Sequence, residues 1–217
     1  MKKIIKTRQS GFTLIEIAIV LVIIGLLLGG VLKGQEMITQ GKIKNVISDF
    51  NGVQAAYYGY QDRYKAIPGD DSGANARWGV NAVSGDGNGT LAASYNATPA
   101  ALAVGTESNL FWQHLRFAGF IPGPTSGVIS GAQPTNAVTG KLGVQNGGLS
   151  LVGLVICSAN LPGKIAAAVD SQLDDGIGTT GQVRGFNQNG VANANADAAP
   201  TVYLDDGAAQ FVVCKGL

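Results

Sequence analysis

The feature that most limits the folds open to this chain is a run of 21 residues, 12–32, that is almost unbroken apolar sequence apart from one carboxylate, Glu16. As a helix it would extend roughly 30 Å, about the thickness of a bilayer core. A carboxylate inside such a segment costs several kcal/mol unless it meets a partner, so Glu16 marks a functional position. Ahead of the run stand Lys2, Lys3, Lys6 and Arg8. Positive charge on that side keeps the N-terminus in the cytoplasm and sends the remainder outward. A secretory signal peptide is cut after its apolar core at a small-residue site, whereas here the small residue, Gly11, precedes the core. A plain signal anchor accounts for the length and leaves both Gly11 and Glu16 unexplained.

Beyond Leu32 the apolar residues fall at Ile43, Val46, Ile47, Phe50, Val53, Tyr57, Tyr60 and Tyr64. Steps of three and four put them on one face of a helix, and no proline interrupts residues 12–67. One helix over 12–65 is therefore expected, on the order of 80 Å long. Its first half is apolar all round and needs lipid or neighbouring subunits. Its second half is amphipathic and needs a covering sheet. Gly25, Gly29, Gly30 and Gly34 lie inside it, where each costs up to about 1 kcal/mol relative to alanine. Their spacing suits close approach of helices in apolar surroundings. It suits equally a segment that loosens on assembly. Pro68, Gly69, Asp70 and Asp71 end the helix.

A Gly-, Asn-, Ala- and Ser-rich stretch follows to about residue 105. The pattern then predicts a helix over 108–118 closed by Gly119, strands over 142–145, 149–157, 182–186, 201–204 and 210–214, and a short helix over 163–175 stopped by Gly176. The Asn- and Ala-rich stretch 187–199 reads as an exposed loop. The two cysteines, Cys157 and Cys214, lie in strand-like runs on the exported side, where an oxidising compartment favours a disulfide. Closing a loop of about 58 residues stabilises by roughly 4 kcal/mol in the chain-entropy picture. Two buried free thiols are the alternative.

Formal charge is +1, and the four leader cations conceal a division: eleven basic residues then face fourteen acidic ones, so the rest sums to −3. That balance indicates no nucleic-acid partner. Enzyme signatures are thin. The single histidine, His114, sits on the apolar face of its predicted helix and reads as a satisfied structural residue. Neither cysteine has a neighbouring histidine, and no phosphate-binding glycine loop occurs in the required context. The tyrosines 57, 58, 60 and 64 read as packing against the head. Acidic pairs recur at 70–71, 174–175 and 205–206, beside an Asp86-Gly87-Asn88-Gly89 fragment that resembles part of a calcium loop without its closing glutamate. Solvated turns are the simpler account of them.

The residues Gly11-Phe12-Thr13-Leu14-Ile15-Glu16 resemble the processing site of type IV prepilins and of the related type II secretion pseudopilins. The resemblance is strongest over residues 11–64, and 110–123 and 173–185 look like parts of pilin-type proteins less diagnostically. It implies cleavage by a prepilin peptidase between Gly11 and Phe12, N-methylation of Phe12, and Glu16 facing the N-terminal amine of an adjacent subunit. It implies an α+β pilin fold, in which the C-terminal half of the long helix packs on an antiparallel sheet and a Cys157–Cys214 disulfide closes the C-terminal region. The implied organisation is a leader over 1–11, a membrane and filament-core half-helix over 12–34, an amphipathic half over 35–66 and an exported head over 67–217. Many pilins carry a proline within the apolar helix; this chain has none there.

By the same resemblance the protein is no enzyme and needs no cofactor. Its partners are copies of itself in a helical filament, the peptidase, the inner-membrane assembly machinery and, before assembly, the membrane. It passes from the bacterial inner membrane to an extracellular pilus. A pseudopilin in a periplasmic pseudopilus is the runner-up, and a membrane-anchored binding module or adhesin that never polymerises is the alternative of another class. Some pseudopilins bind calcium near the C-terminus, which makes Asp174, Asp175 and Asp205 candidate ligands.

Overall fold

A computed structural model describes residues 11, 13–99, 101–103 and 105–217. Helix α1 (Leu14–Tyr64) is unbroken through all of its glycines. It ends where Lys65 turns to a positive φ of 55° while its N–H still reaches the Gln61 carbonyl at 2.8 Å. Pro68 follows and forbids continuation. Among the described residues the chain divides between Gly41 and Lys42 into two compact units. The first side chain of α1 to be buried is Ile43, followed by Val46, Phe50, Val53, Tyr57 and Tyr60. These are the positions that the three-and-four spacing selects.

In the unit 42–217 the short helix α2 (Ala74–Trp78) and helix α3 (Glu107–Phe117) precede a 3-10 turn at Val128–Gly131. Strands β1 (Leu142–Gly148) and β2 (Leu151–Pro162), helix α4 (Gly163–Leu173) and strands β3 (Val183–Asn187) and β4 (Gln210–Gly216) complete the order. The sheet runs β1-β2-β4-β3 with every neighbouring pair antiparallel. The fold is therefore α+β, as expected.

Alternation along the strands sorts side chains onto two faces. Ile156, Leu161, Phe211 and Val213 join Phe50, Tyr57, Tyr60, Phe111, Trp112 and Leu115 in the core shared with α1 and α3. Val155, Cys157, Ala159, Val212 and Cys214 form a second core on the other face with Tyr95, Leu149 and Ala196. That second core needs its own cover, which loops around Tyr95 and Ala196 supply. The stretch expected as an exposed loop is in part this lid: Ala196 is fully buried and its carbonyl accepts the Leu149 N–H at 2.8 Å.

Two strand expectations shift. Leu149 is the first residue of the β1–β2 turn rather than of a strand, and both Leu149 and Ser150 have positive φ, 49° and 63°. Holding leucine there costs about 1–2 kcal/mol. Complete burial of its side chain offsets that cost. Residues 201–204 form no strand. Pro200 removes a ladder donor, and the segment's hydrogen bonds to β3 come from Thr201 alone, whose N–H donates to the Gly185 carbonyl at 2.7 Å and whose Oγ1 accepts the Asn187 N–H at 2.9 Å. Tyr203 instead lays its ring where a side chain at Gly185 would otherwise stand, and its hydroxyl donates to Asp170 at 2.7 Å.

Candidate functional site

The start of α1 is closed by its own first turn. Thr13 is the residue before the helix, and its N–H donates to Glu16 Oε2 at 2.8 Å while the Glu16 N–H donates to Thr13 Oγ1 at 3.3 Å. The Thr13 hydroxyl also donates to Oε2, at 2.7 Å. Two of the free N–H groups at the helix start are thereby satisfied reciprocally, the pattern of a Ser/Thr followed three residues later by Glu. Thr13 was missed by a reading that fixed on the charge, although Thr-x-x-Glu ahead of an apolar run is itself a sequence signal for this cap. Only one oxygen of Glu16 is engaged; Oε1 has no donor among the described residues. Gly11 is exposed. The predicted methylation site Phe12, and the leader cations Lys2, Lys3, Lys6 and Arg8, lie outside the described residues.

Behind the cap stand fourteen Leu, Ile and Val side chains between Leu14 and Leu32, none less than 46% exposed. The helix is long and apolar enough to cross a membrane, and none of its apolar stretch is buried. Covering those side chains would release on the order of 20 kcal/mol. A methyl group added at Gly25, Gly29, Gly30 or Gly34 would meet no atom of this chain within 4 Å. At Gly59 the same methyl would fall 2.7 Å from the Phe120 ring. Gly59 is thus needed by the fold, and the other four are not needed by packing inside this chain.

The polar residues of the head are committed to holding it together. His114 is completely buried, with the Gly69 N–H donating to Nδ1 at 2.9 Å and Nε2 donating to the Val83 carbonyl at 2.7 Å. Burial lowers its pKa, and a proton on Nδ1 would face another donor. Asp71 accepts from Tyr60 and Arg77, each at 2.6 Å. Burial pushes that carboxyl up, yet the Arg77, Tyr60 and Gly73 donors together bring it below the usual carboxylate value. Of the tyrosines at the end of α1, Tyr57, Tyr60 and Tyr64 pack as expected and Tyr58 stays exposed. The Tyr60 and Tyr64 ring centres lie 4.7 Å apart, and Arg77 sits 4.4 Å from the Tyr64 ring centre.

The Asp86-Gly87-Asn88-Gly89 fragment brings Asp86 together with buried Asp70 and Glu107, carboxylates close enough to share a cation, and the backbone around them already supplies donors to the two buried ones. The N–H groups of Gly87, Asn88 and Gly89 converge on the Asp70 carboxylate at 2.7, 3.0 and 2.8 Å, so the loop wraps an anion. Buried Glu107 accepts from the Asp86 and Ala92 N–H groups in the same way. Near the C-terminus, Asp174 and Asp175 come together with Asp170, a residue that sequence reasoning did not select, while Asp205 stands outside the group. Their hard oxygens are of the kind calcium takes. They already receive Tyr203, Gly176, Gln182, Val183, Ile177 and Thr180 donors. The loop is closed by its own hydrogen bonds.

Cys157 and Cys214 form the expected disulfide. They sit directly opposite one another on β2 and β4, both fully buried in the second core. The bridge therefore staples paired strands, and α4, β3 and the Ala196 loop of the lid lie within the chain segment it closes, whereas the Tyr95 loop lies outside it.

Residues 6–32 match a family model described as a prokaryotic N-terminal methylation motif, the signal motif of type IV pilins and pseudopilins. No curated protein and no solved structure was found to match the chain.

Proposed function

We propose that this chain, pilin-like or pseudopilin-like by its N-terminal motif, is a structural subunit of a type IV pilus filament. One observation carries the reading: a helix capped by Thr13 and Glu16 presents fourteen uncovered aliphatic side chains within a stretch that matches the N-terminal methylation motif. In the membrane, lipid covers that surface. After cleavage behind Gly11, the same surface is covered by the equivalent helices of other copies, and Oε1 of Glu16, which has no donor among the described residues, meets the new amine of Phe12 on a neighbour. In a low-dielectric bundle such a pair attracts strongly, while loss of one partner strands a buried charge at about 3–5 kcal/mol. Packing supplies cohesion and the charge supplies register.

The role is structural rather than catalytic. Both nitrogens of His114 are bonded to backbone and both cysteines are consumed by the disulfide, so the side chains best suited to acid–base or nucleophilic work are occupied.

Sheared surface filaments, imaged by electron microscopy and analysed by mass spectrometry, test the proposal. The expected N-terminal peptide begins with N-methylated Phe12. An uncut chain, or a chain confined to the periplasm when surface filaments are present, would contradict it. Gly11→Ala is expected to leave uncleaved precursor in the membrane, and ordinary processing on an immunoblot would refute that.

A further inference from the structure

The lid over the second core carries a concavity of about 710 Å³ on its outer side, lined among others by Phe186, Asn189, Val191, Asn195 and Asp197. We propose that it binds a neutral oligosaccharide, independently of whether the chain polymerises.

The wall is built before any ligand arrives. Although residues 188–198 form no helix or strand, buried Gln188 bonds Asn160 in both directions, at 2.6 and 3.0 Å. Asn160 then accepts the Asn193 N–H at 2.9 Å, and Asn193 accepts the Lys141 N–H at 2.7 Å. Asn96 donates to the Asn193 carbonyl and to Asn195 Oδ1, and the Tyr95 hydroxyl donates to the Ala194 carbonyl at 2.6 Å. A loop fixed at this many points loses little freedom on binding.

The groups left over define the ligand. The amide nitrogen of Asn195, the whole side-chain amide of exposed Asn189 and Oδ2 of exposed Asp197 have no partner among the described residues. Asn189 offers a donor and an acceptor at once, and Asn195 adds a donor beside the Asp197 acceptor, the mixture that vicinal sugar hydroxyls require. Half-buried Phe186 and exposed Val191 offer apolar surface to the C–H face of a ring. Asp197 is the one charged residue of the lining, which disfavours anionic ligands. Lys141 Nζ nearby is engaged by the Asn96 carbonyl at 2.6 Å. A volume of this size lies within the ordinary range of small-molecule sites.

The test uses the full chain in a detergent without a sugar headgroup. Binding of maltotriose, tri-N-acetylchitotriose and N-acetyllactosamine is measured by saturation-transfer NMR and titration, with 3′-sialyllactose as the anionic comparison. At least one neutral probe is expected to bind in the millimolar range or tighter. The pair Asn189→Gly and Asn195→Ala removes the free Asn189 amide and the free Asn195 nitrogen, at the loss of one wall bond from Asn96, with glycine matching the positive φ of 49° at Asn189. It is expected to weaken binding about tenfold or more. Val191→Trp, at a side chain 61% exposed, fills the concavity without touching its hydrogen bonds and is expected to abolish binding. Absence of binding by every neutral probe, undiminished binding by both variants, or preference for sialyllactose would overturn the proposal.

Discussion

Single residues in this protein act mainly through the backbone groups they satisfy. His114 shows the consequence for pH. Burial lowers its folded pKa, so the unfolded chain takes up the proton first. The stability that neutral His114 confers is complete above the unfolded value near 6.5 and declines as pH falls below it. Melting temperatures recorded from pH 7.5 to 5 are expected to fall on acidification. His114→Phe is expected to lose roughly 1–3 kcal/mol at neutral pH, because the Gly69 N–H and Val83 carbonyl lose their partner, and to lose much of the pH slope as well. An unchanged slope in the variant would show that other groups set the acid response. Thr13 is the residue-scale lesson in the reverse direction. Glu16 stands alone as a charge in the apolar run, yet one of its oxygens is committed locally, and the threonine three residues ahead announces that bond.

Among elements, α1 answers two separate demands along one continuous helix. Gly59→Ala drives a methyl group into the Phe120 ring and is expected to destabilise the head by about 1–3 kcal/mol in thermal melts. Gly29→Ala, with open space around it, is expected to leave head stability unchanged while altering assembly. Equal effects on head stability would contradict the division. The segment between α4 and β3 yields a further expectation. Because hydrogen bonds already close the loop around Asp170, Asp174 and Asp175, the melting temperature should differ by less than about 2 °C between millimolar calcium and a chelator. A rise of several degrees in calcium would establish a metal site there.

The elements also show what the sequence made legible. Helical periodicity placed the buried face of α1, because burial on one face leaves a repeating trace. Strands β2 and β4 showed instead as continuous apolar runs, because both of their faces are buried, and β2 runs five residues past its expected end at 157. The lid left no trace of either kind. Its order comes from Asn and Gln side chains bonding backbone far away in the chain, as Gln188 does with Asn160, and such pairings have no period. For the same reason the Asp70–Asp71 pair, which reads as a solvated turn, is instead buried, with three backbone N–H groups on Asp70, and residues 201–204 looked like a strand although Tyr203 serves as a side-chain plug. At the start of α1 the lone Glu16 charge stands out in the sequence, whereas the reciprocal Thr13 bonds are signalled only by the Thr-x-x-Glu spacing.

At the scale of the whole molecule, residues 42–217 have their own two-sided core and disulfide, whereas the described residues before them bury almost nothing. A fragment beginning at Lys42 is expected to be soluble and monomeric by light scattering, with a cooperative melt. Aggregation of that fragment would mean that the preceding helix is part of the fold. The central claim is that the chain assembles through an uncovered apolar helix whose register is set by the Glu16 charge. It is tested most directly by counting filaments from cells carrying Glu16→Gln beside cells carrying Thr13→Val. Glutamine keeps an acceptor for the Thr13 N–H and removes the charge, while valine removes the hydroxyl and keeps the charge. The account predicts that Glu16→Gln lowers filament number at least about tenfold, with normal processing and a normally folded head, and that Thr13→Val lowers it less. Filaments at wild-type abundance from Glu16→Gln would contradict it.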